Sequence, residues 1–219
     1  DDVTISGTAT YQPSLTGSSS NTPVAKSITL QNNAKLTVTG STYSFALTNE
    51  LKVDSSATAT LALDNYGTVK LTGSPARITL GAGSKLKVEK VTASTSGCTA
   101  ASNIVRIEAS SSGGLQFNNT NSNPPLESRV MLLDPCITLS IDHGTIDAQT
   151  NDPTKVGVFG SGELEFKGSG SQIEGGLPAR VTLKSGINGT NTVTLTGNSA
   201  NLMGEESYTQ VSASSSTSS

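Results

Sequence analysis

The chain of 219 residues has no tryptophan, and its aromatic residues make up only 4% of the sequence. A β-sandwich of this size normally uses several large rings to fill the roughly 10 Å between its two sheets. A β-solenoid, in which short strands stack as repeated turns, has a narrower interior that Val, Ile, Leu and Ala can fill. The scarcity of rings therefore favours a solenoid over a sandwich.

Long apolar stretches are also missing. No apolar run reaches the roughly 18 residues that a membrane-spanning helix requires, and no segment repeats apolar residues at helical spacing. Hydroxyl side chains are abundant instead, with 33 Ser and 30 Thr, which suit turns and exposed strand positions respectively. We expect an all-β chain with little or no α-helix and no membrane-spanning segment.

Charge is low and dispersed along the sequence. The 14 Lys and Arg residues form no run, and the net charge is −3. Nucleic-acid-binding surfaces normally require a cluster of basic residues, so we expect no nucleic-acid partner. One histidine and two well-separated cysteines leave little material for a zinc site. We expect neither a metal nor a cofactor.

The most informative feature present is a repeated sequence motif: an apolar-Thr-apolar tripeptide, a polar turn and a second alternating strand. Copies lie at residues 28–40, 78–89 and 181–197, and degenerate versions at residues 47–53, 61–71, 104–108, 137–141 and 156–166. Alternation buries one side of each strand, and so short a module must stack on its neighbours. The repeat predicts a parallel β-solenoid (β-helix) with short strands; an antiparallel β-sandwich or jelly roll is the alternative.

Composition divides the chain into five segments. The most regular repeats are separated by a stretch rich in Ser, Gly, Asn and Pro, which reads as a loop, and the C-terminal residues are rich in Ser. The predicted segments are an N-terminal arm or cap (1–27), a first β-repeat block (28–108), a loop (109–127), a second β-repeat block (128–204) and a C-terminal arm (205–219).

The two cysteines, Cys98 and Cys136, favour an extracellular disulfide over a redox or metal site. Bonded cysteines have Cα atoms about 5.5 Å apart, close to the ~4.8 Å spacing of adjacent strands. If the loop of residues 109–127 leaves only one solenoid turn between them, the bond can form. It would then stabilise the fold by roughly 3 to 4 kcal/mol. Two free buried thiols are the alternative.

Candidates for catalysis are few. His143 lies between Asp142 and Asp147, and two carboxylates beside a histidine could act as acid and base in glycoside hydrolysis. This segment resembles the His-Gly element of the polygalacturonase family, but the paired Asp residues upstream and the Arg-x-Lys element downstream are missing. Residues 64–65 and 151–152 offer oxygen ligands for calcium without the dense Asp pattern of a calcium roll. We expect no enzymatic activity.

The apolar-Thr-apolar strands, Asn/Gly turns and Thr-Gly strand ends of residues 28–197 resemble the β-helical passenger regions of autotransporters and secreted haemagglutinin-like adhesins. Those families are cell-surface proteins, mostly adhesive or structural, so the resemblance implies an extracellular or cell-surface location. Two sequons begin at Asn118 and Asn188 and are candidate glycosylation sites.

Both ends of the chain carry short β-compatible stretches that are candidate assembly arms, with Val3, Ile5 and Tyr11 at one end and Tyr208 and Val211 at the other. Open sheet edges template the addition of further strands. We therefore expect a structural protein whose main partner is itself, assembling into a surface filament or fibrous layer by strand exchange or stacking. A monomeric adhesin that binds host surfaces or glycans is the alternative, and a β-helical polysaccharide-degrading enzyme is the second.

Overall fold

The computed structural model describes residues 1–16, 22–39, 44–64, 67–73, 76–92, 98, 105–109, 115–119, 128–141, 144–146, 156–166, 171–174, 180–184, 193–196 and 210–214. Every regular element in these ranges is a β-strand. In chain order the strands are β1 (Asp2–Ser6), β2 (Ser14–Thr16), β3 (Val24–Gln31), β4 (Lys35–Thr39), β5 (Ser44–Val53), β6 (Thr58–Leu63), β7 (Thr68–Leu71), β8 (Ala76–Leu80), β9 (Lys85–Lys90), β10 (Val105–Ala109), β11 (Leu115–Asn119), β12 (Ser128–Leu132), β13 (Ile137–Ile141), β14 (Gly144–Ile146), β15 (Val156–Gly160), β16 (Glu163–Phe166), β17 (Ser171–Glu174), β18 (Arg180–Lys184), β19 (Val193–Thr196) and β20 (Gln210–Ser214).

The strands wind into a parallel β-solenoid with three faces. All pairs between the described strands are parallel, which confirms the solenoid and makes the antiparallel sandwich alternative wrong. The long strands β3 and β5 each cover two faces, and the two halves of β5 pair separately with β7 and β8. The first face continues through β10, β13, β16, β18 and β20; the second runs from β1 through β8, β11, β14, β17 and β19; the third is β2, β4, β6, β9, β12 and β15.

Apolar side chains of successive turns, here called rungs, stack in ladders inside the three faces. On the first face, five buried residues follow one another in register: Phe45, Val69, Ile107, Leu139 and Leu164. The other two faces contribute similar ladders of Leu, Ile and Val. Alternation explains this arrangement, because every second side chain of a strand points to the same side. The narrow interior is therefore filled mainly by aliphatic residues, as the scarcity of rings predicts.

The repeated sequence motif corresponds to a corner of the solenoid. Its first two copies, at residues 28–40 and 78–89, supply the end of one strand on the second face, a tight turn and the next strand on the third face. Asn33, Ser56 and Gly83 occupy the same position in three such turns, with φ values of 59°, 59° and 71°. That left-handed conformation suits Asn and Gly at this turn position. The third copy, at residues 181–197, instead spans β18 and β19, from the first face to the second.

Corners of neighbouring rungs lie directly on one another. Gln31 and Asp54 stack in this way 23 residues apart, with the Gln31 Nε2 donating to the Asp54 Oδ2 at 2.7 Å. At the next corner Gly81 lies against the backbone of Ser55, so closely that a Cβ atom would overlap it. The corner residues thus hold successive rungs in place.

Segments predicted as arms and loop are partly strand. Within residues 1–27 the described strands are β1, β2 and the start of β3, and β20 in residues 205–219 pairs with β18 of the same chain. Within residues 109–127, predicted as a loop, Leu115–Asn119 form β11, which pairs with β8 and corrects that prediction for this stretch. Because β10 pairs with both β7 and β13, the two repeat blocks form one continuous solenoid.

We expect Leu61→Ala to lower the free energy of unfolding by about 2 to 5 kcal/mol, because it leaves a cavity in a packed interior. Leu61 is buried between Leu36 and Val88 of the adjacent rungs. Leu133→Ala is the matched control, since Leu133 is 45% exposed and its loss should cost less than about 1 kcal/mol. Urea unfolding of both variants measures the difference; equal losses would contradict the assignment of Leu61 to the core.

Candidate functional site

The first described rung of the solenoid contains β1 and β2. Strand β1 lies on β3, with Val3 beside Ile28 and Ile5 beside Leu30. The side chain of Ile5 is buried, whereas Val3 is 40% exposed. Two of the predicted arm residues therefore belong to a folded rung, and Ile5 contributes to the core.

Gln12 fixes the turn between β1 and β2. Its Nε2 donates to the backbone oxygens of Ser6 and Ala9, both at 3.1 Å, and its Oε1 accepts from the backbone N–H of Lys35 at 2.7 Å. One side-chain amide thus ties the first rung to itself and to the second rung. Tyr11, the third predicted arm residue at this end, directly precedes it and is 89% exposed. The first rung therefore has a turn fixed by hydrogen bonds, next to the exposed ring of Tyr11.

The first described rung also has strand edges that no other described strand pairs with. Among the described strands, β1 pairs with β3 alone and β2 with β4 alone. On the first face the edge is the start of β3, where Val24 is 63% exposed and the N–H of Lys26 donates to the Asp1 oxygen at 2.9 Å. Val3, Tyr11 and Val24 are three of the five exposed large apolar residues in the described part of the chain. Exposed apolar surface and open edges therefore coincide.

The last described strands run in the direction that pairing with the first rung of another copy requires. Strand β20 is the last described strand of the first face and β19 the last of the second. Val211, a predicted arm residue, lies in β20 opposite Val181 of the same chain, and Tyr208 lies outside the described residues. All described strands on a face are parallel. The last strand of one copy therefore runs in the direction needed to pair, in parallel, with the first strand of another copy.

The disulfide predicted from the sequence is present. Cys98 and Cys136 are bonded with their Cα atoms 5.1 Å apart. They precede β10 and β13, strands that pair directly, so one rung separates the cysteines, as the spacing argument requires. Cys136 is buried, and its N–H donates to the Asp134 Oδ1 at 2.8 Å. The bond joins equivalent corners of adjacent rungs.

A buried carboxylate lies on the outward side of the first face. The side chain of Glu165 is 2% exposed, and its Oε1 accepts from the Ser140 Oγ at 2.9 Å and lies 3.5 Å from the Arg106 guanidinium. These residues lie on β16, β13 and β10, which are consecutive strands. The group links three rungs by charge-assisted hydrogen bonding. Its role is therefore to hold the rungs together.

Of the remaining residues singled out from the sequence, some lie in the described part of the structure and others lie outside it. Asn118 lies in β11 opposite Thr79, and Asn188 lies outside the described residues. So do His143, Asp142 and Asp147, and residue 65 and residues 151–152 of the calcium candidates. Within the described ranges no group of three or more His, Cys, Asp and Glu side chains could hold a metal. Those ranges also contain no helix long and apolar enough to cross a membrane.

Comparison of the chain with protein-family models, curated proteins and solved structures finds no match.

We expect the disulfide to contribute about 3 to 4 kcal/mol to the free energy of unfolding, because it closes a long loop in the unfolded chain. The double variant Cys98→Ala, Cys136→Ala should lose that amount in urea unfolding, and reductant should lower the stability of the parent protein alone. A count of two free thiols in the unreduced protein would contradict the bond.

Proposed function

We propose that this chain is a non-catalytic, extracellular structural protein whose copies stack end to end into a cell-surface filament or fibrous layer. The observation that carries the proposal is the N-terminal rung, where open strand edges coincide with exposed Val3, Tyr11 and Val24.

Open edges favour association because unpaired backbone N–H and C=O groups accept a further strand. Natural solenoids block their ends with polar caps. Here the first rung instead exposes apolar side chains beside its edge. A second copy provides the best-matched cover, because its last rung presents parallel strands running in the required direction. Such head-to-tail contact is heterologous and extends into filaments.

Stacking is favoured over exchange of arms. Both terminal strands already pair within the chain, β1 with β3 and β20 with β18. Exchange would require breaking those ladders and uncovering Leu30, whereas stacking adds hydrogen bonds and apolar burial without that loss. Tyr11 and Val24 then act as contact residues at the junction.

Two features support an extracellular location. A structural disulfide persists in oxidising compartments, and this chain bonds both of its cysteines. The sequence also resembles autotransporter passengers and haemagglutinin-like surface proteins in its repeated strands and turns, which agrees with a cell-surface role. A monomeric adhesin would share this fold, but it gives no reason for apolar residues at the end of the solenoid. A polysaccharide-degrading enzyme would need an acid and base pair, and the candidates Asp142, His143 and Asp147 lie outside the described residues.

The sharpest test replaces one exposed apolar residue at the end. Val24→Glu should abolish high-order assembly, because the junction would have to bury an unpaired charge. Light scattering and electron microscopy measure assembly, and circular dichroism checks that the β-rich fold is retained.

Val91→Glu is the matched control, since Val91 is 49% exposed and directly follows β9, away from the first rung. It should assemble like the parent protein. A parent protein that stays monomeric, or equal assembly by Val24→Glu, would refute end-to-end stacking. Substitution is preferable to deletion of residues 1–11, since deletion would remove β1 and expose the core.

A further inference from the structure

The first and last described rungs place their strands on different faces. The first has β1 on the second face and β2 on the third, and the first face carries no described strand at that level. Strand β20 lies one rung beyond β18 on the first face, and the other two faces carry no described strand at its level. Among the described strands, each of these two rungs therefore has a strand where the other has none.

Strand register is continuous along the whole first face. One column of directly opposed residues runs through eight strands: Val24, Ala46, Lys70, Glu108, Ser140, Glu165, Thr182 and Ser212. If a second copy continues the stack, the same column places Ser212 of one copy opposite Val24 of the next. Val24 is 63% exposed, and a strand at this position would cover it.

The second face has a continuous column of the same kind. Its residues are Asp2, Ser27, Glu50, Arg77, Gln116, Thr145, Gln172 and Thr194. Continuing this column into a second copy places Thr194 of one copy opposite Asp2 of the next, so that β19 pairs with β1. The two faces therefore define the same junction, with β20 and β1 at one level of the stack.

The corner between the first and second faces fits two chains at this level. In β5 two residues lie between Leu47, which pairs on the first face, and Glu50, which pairs on the second. At the shared level, Ser214 at the end of β20 and Asp1 before β1 of the other copy take those two positions. The Asp1 oxygen already accepts from the Lys26 N–H at 2.9 Å, which places Asp1 at this corner.

We propose that two copies of this chain interlock through a composite rung, in which β20 of one copy forms the first face and β1 and β2 of the next form the second and third. Strand β20 then pairs with its own β18 and with the start of β3 of the other copy. Two first rungs placed together would leave the first face without a strand, so the junction is heterologous and extends the filament. This inference rests on the end-to-end stacking proposed above, and specifies its strands and register.

Introduced cysteines test the register of the junction. Val24→Cys and Ser212→Cys, made in separate 219-residue proteins and mixed before assembly, should form a disulfide-linked heterodimer under mild oxidation, because their Cα atoms would lie about 4.8 Å apart. The bond between Cys98 and Cys136, with a Cα distance of 5.1 Å, joins adjacent rungs in the same way.

Gln210→Cys, mixed with Val24→Cys, is the matched control. It lies on the same strand as Ser212, but its Cα atom would be about 8 Å from that of residue 24, beyond the reach of a disulfide. The heterodimer band should therefore be lost on a non-reducing gel.

Asp2→Cys mixed with Thr194→Cys tests the second face independently and should also form a heterodimer, with circular dichroism checking the fold of every variant. Equal cross-linking by the control, or homodimers of Val24→Cys alone, would overturn the composite rung. Light scattering and electron microscopy of the parent protein report assembly separately. A parent protein that assembles while neither predicted pair cross-links would refute the composite rung and leave stacking standing, whereas a parent protein that stays monomeric would refute both.

Discussion

Contact between successive rungs is the interaction on which the rest of the structure depends. A strand of four to six residues cannot enclose its own apolar side chains, and Leu61 is buried only because Leu36 and Val88 lie on either side of it. A slip of one residue in the ladder would turn the whole apolar row outward. Stability therefore accumulates from neighbour to neighbour, and a rung at an end lacks half of its contacts.

The division of labour between inward and outward positions follows from this constraint. Inward side chains provide the cohesion, so outward side chains are free to vary in charge. On two faces that freedom is used for pairs such as Glu50 with Arg77, and for the Arg106, Ser140 and Glu165 group that ties three rungs together. The third face adds the ion pair of Lys35 with Glu89.

The alternating pattern of the sequence was enough to predict the fold. Which outward residues lie beside one another depends on strand register, which that pattern does not give. Alternation in residues 28–40 and 78–89 was sufficient to predict the strands and their parallel stacking, and the expectation of a single rung between Cys98 and Cys136 was correct. Strand β11 was missed because Leu115 and Phe117 lie between Gly- and Asn-rich residues that resemble a loop. The basic residues seemed scattered because Lys85 and Arg129 become neighbours only through the pairing of β9 with β12. No reading of linear spacing gives that adjacency.

The disulfide has a mechanical consequence for a chain that is pulled from its ends. A solenoid under tension releases its rungs one after another, since each is held mainly by its neighbours. The bond between Cys98 and Cys136 spans a sequence separation of 38 residues, which an intact disulfide withholds from the stretched chain. At 3.3 to 3.6 Å per extended residue, this removes about 130 Å of reach. The stapled rung is thus an inextensible link within a chain that otherwise lengthens turn by turn.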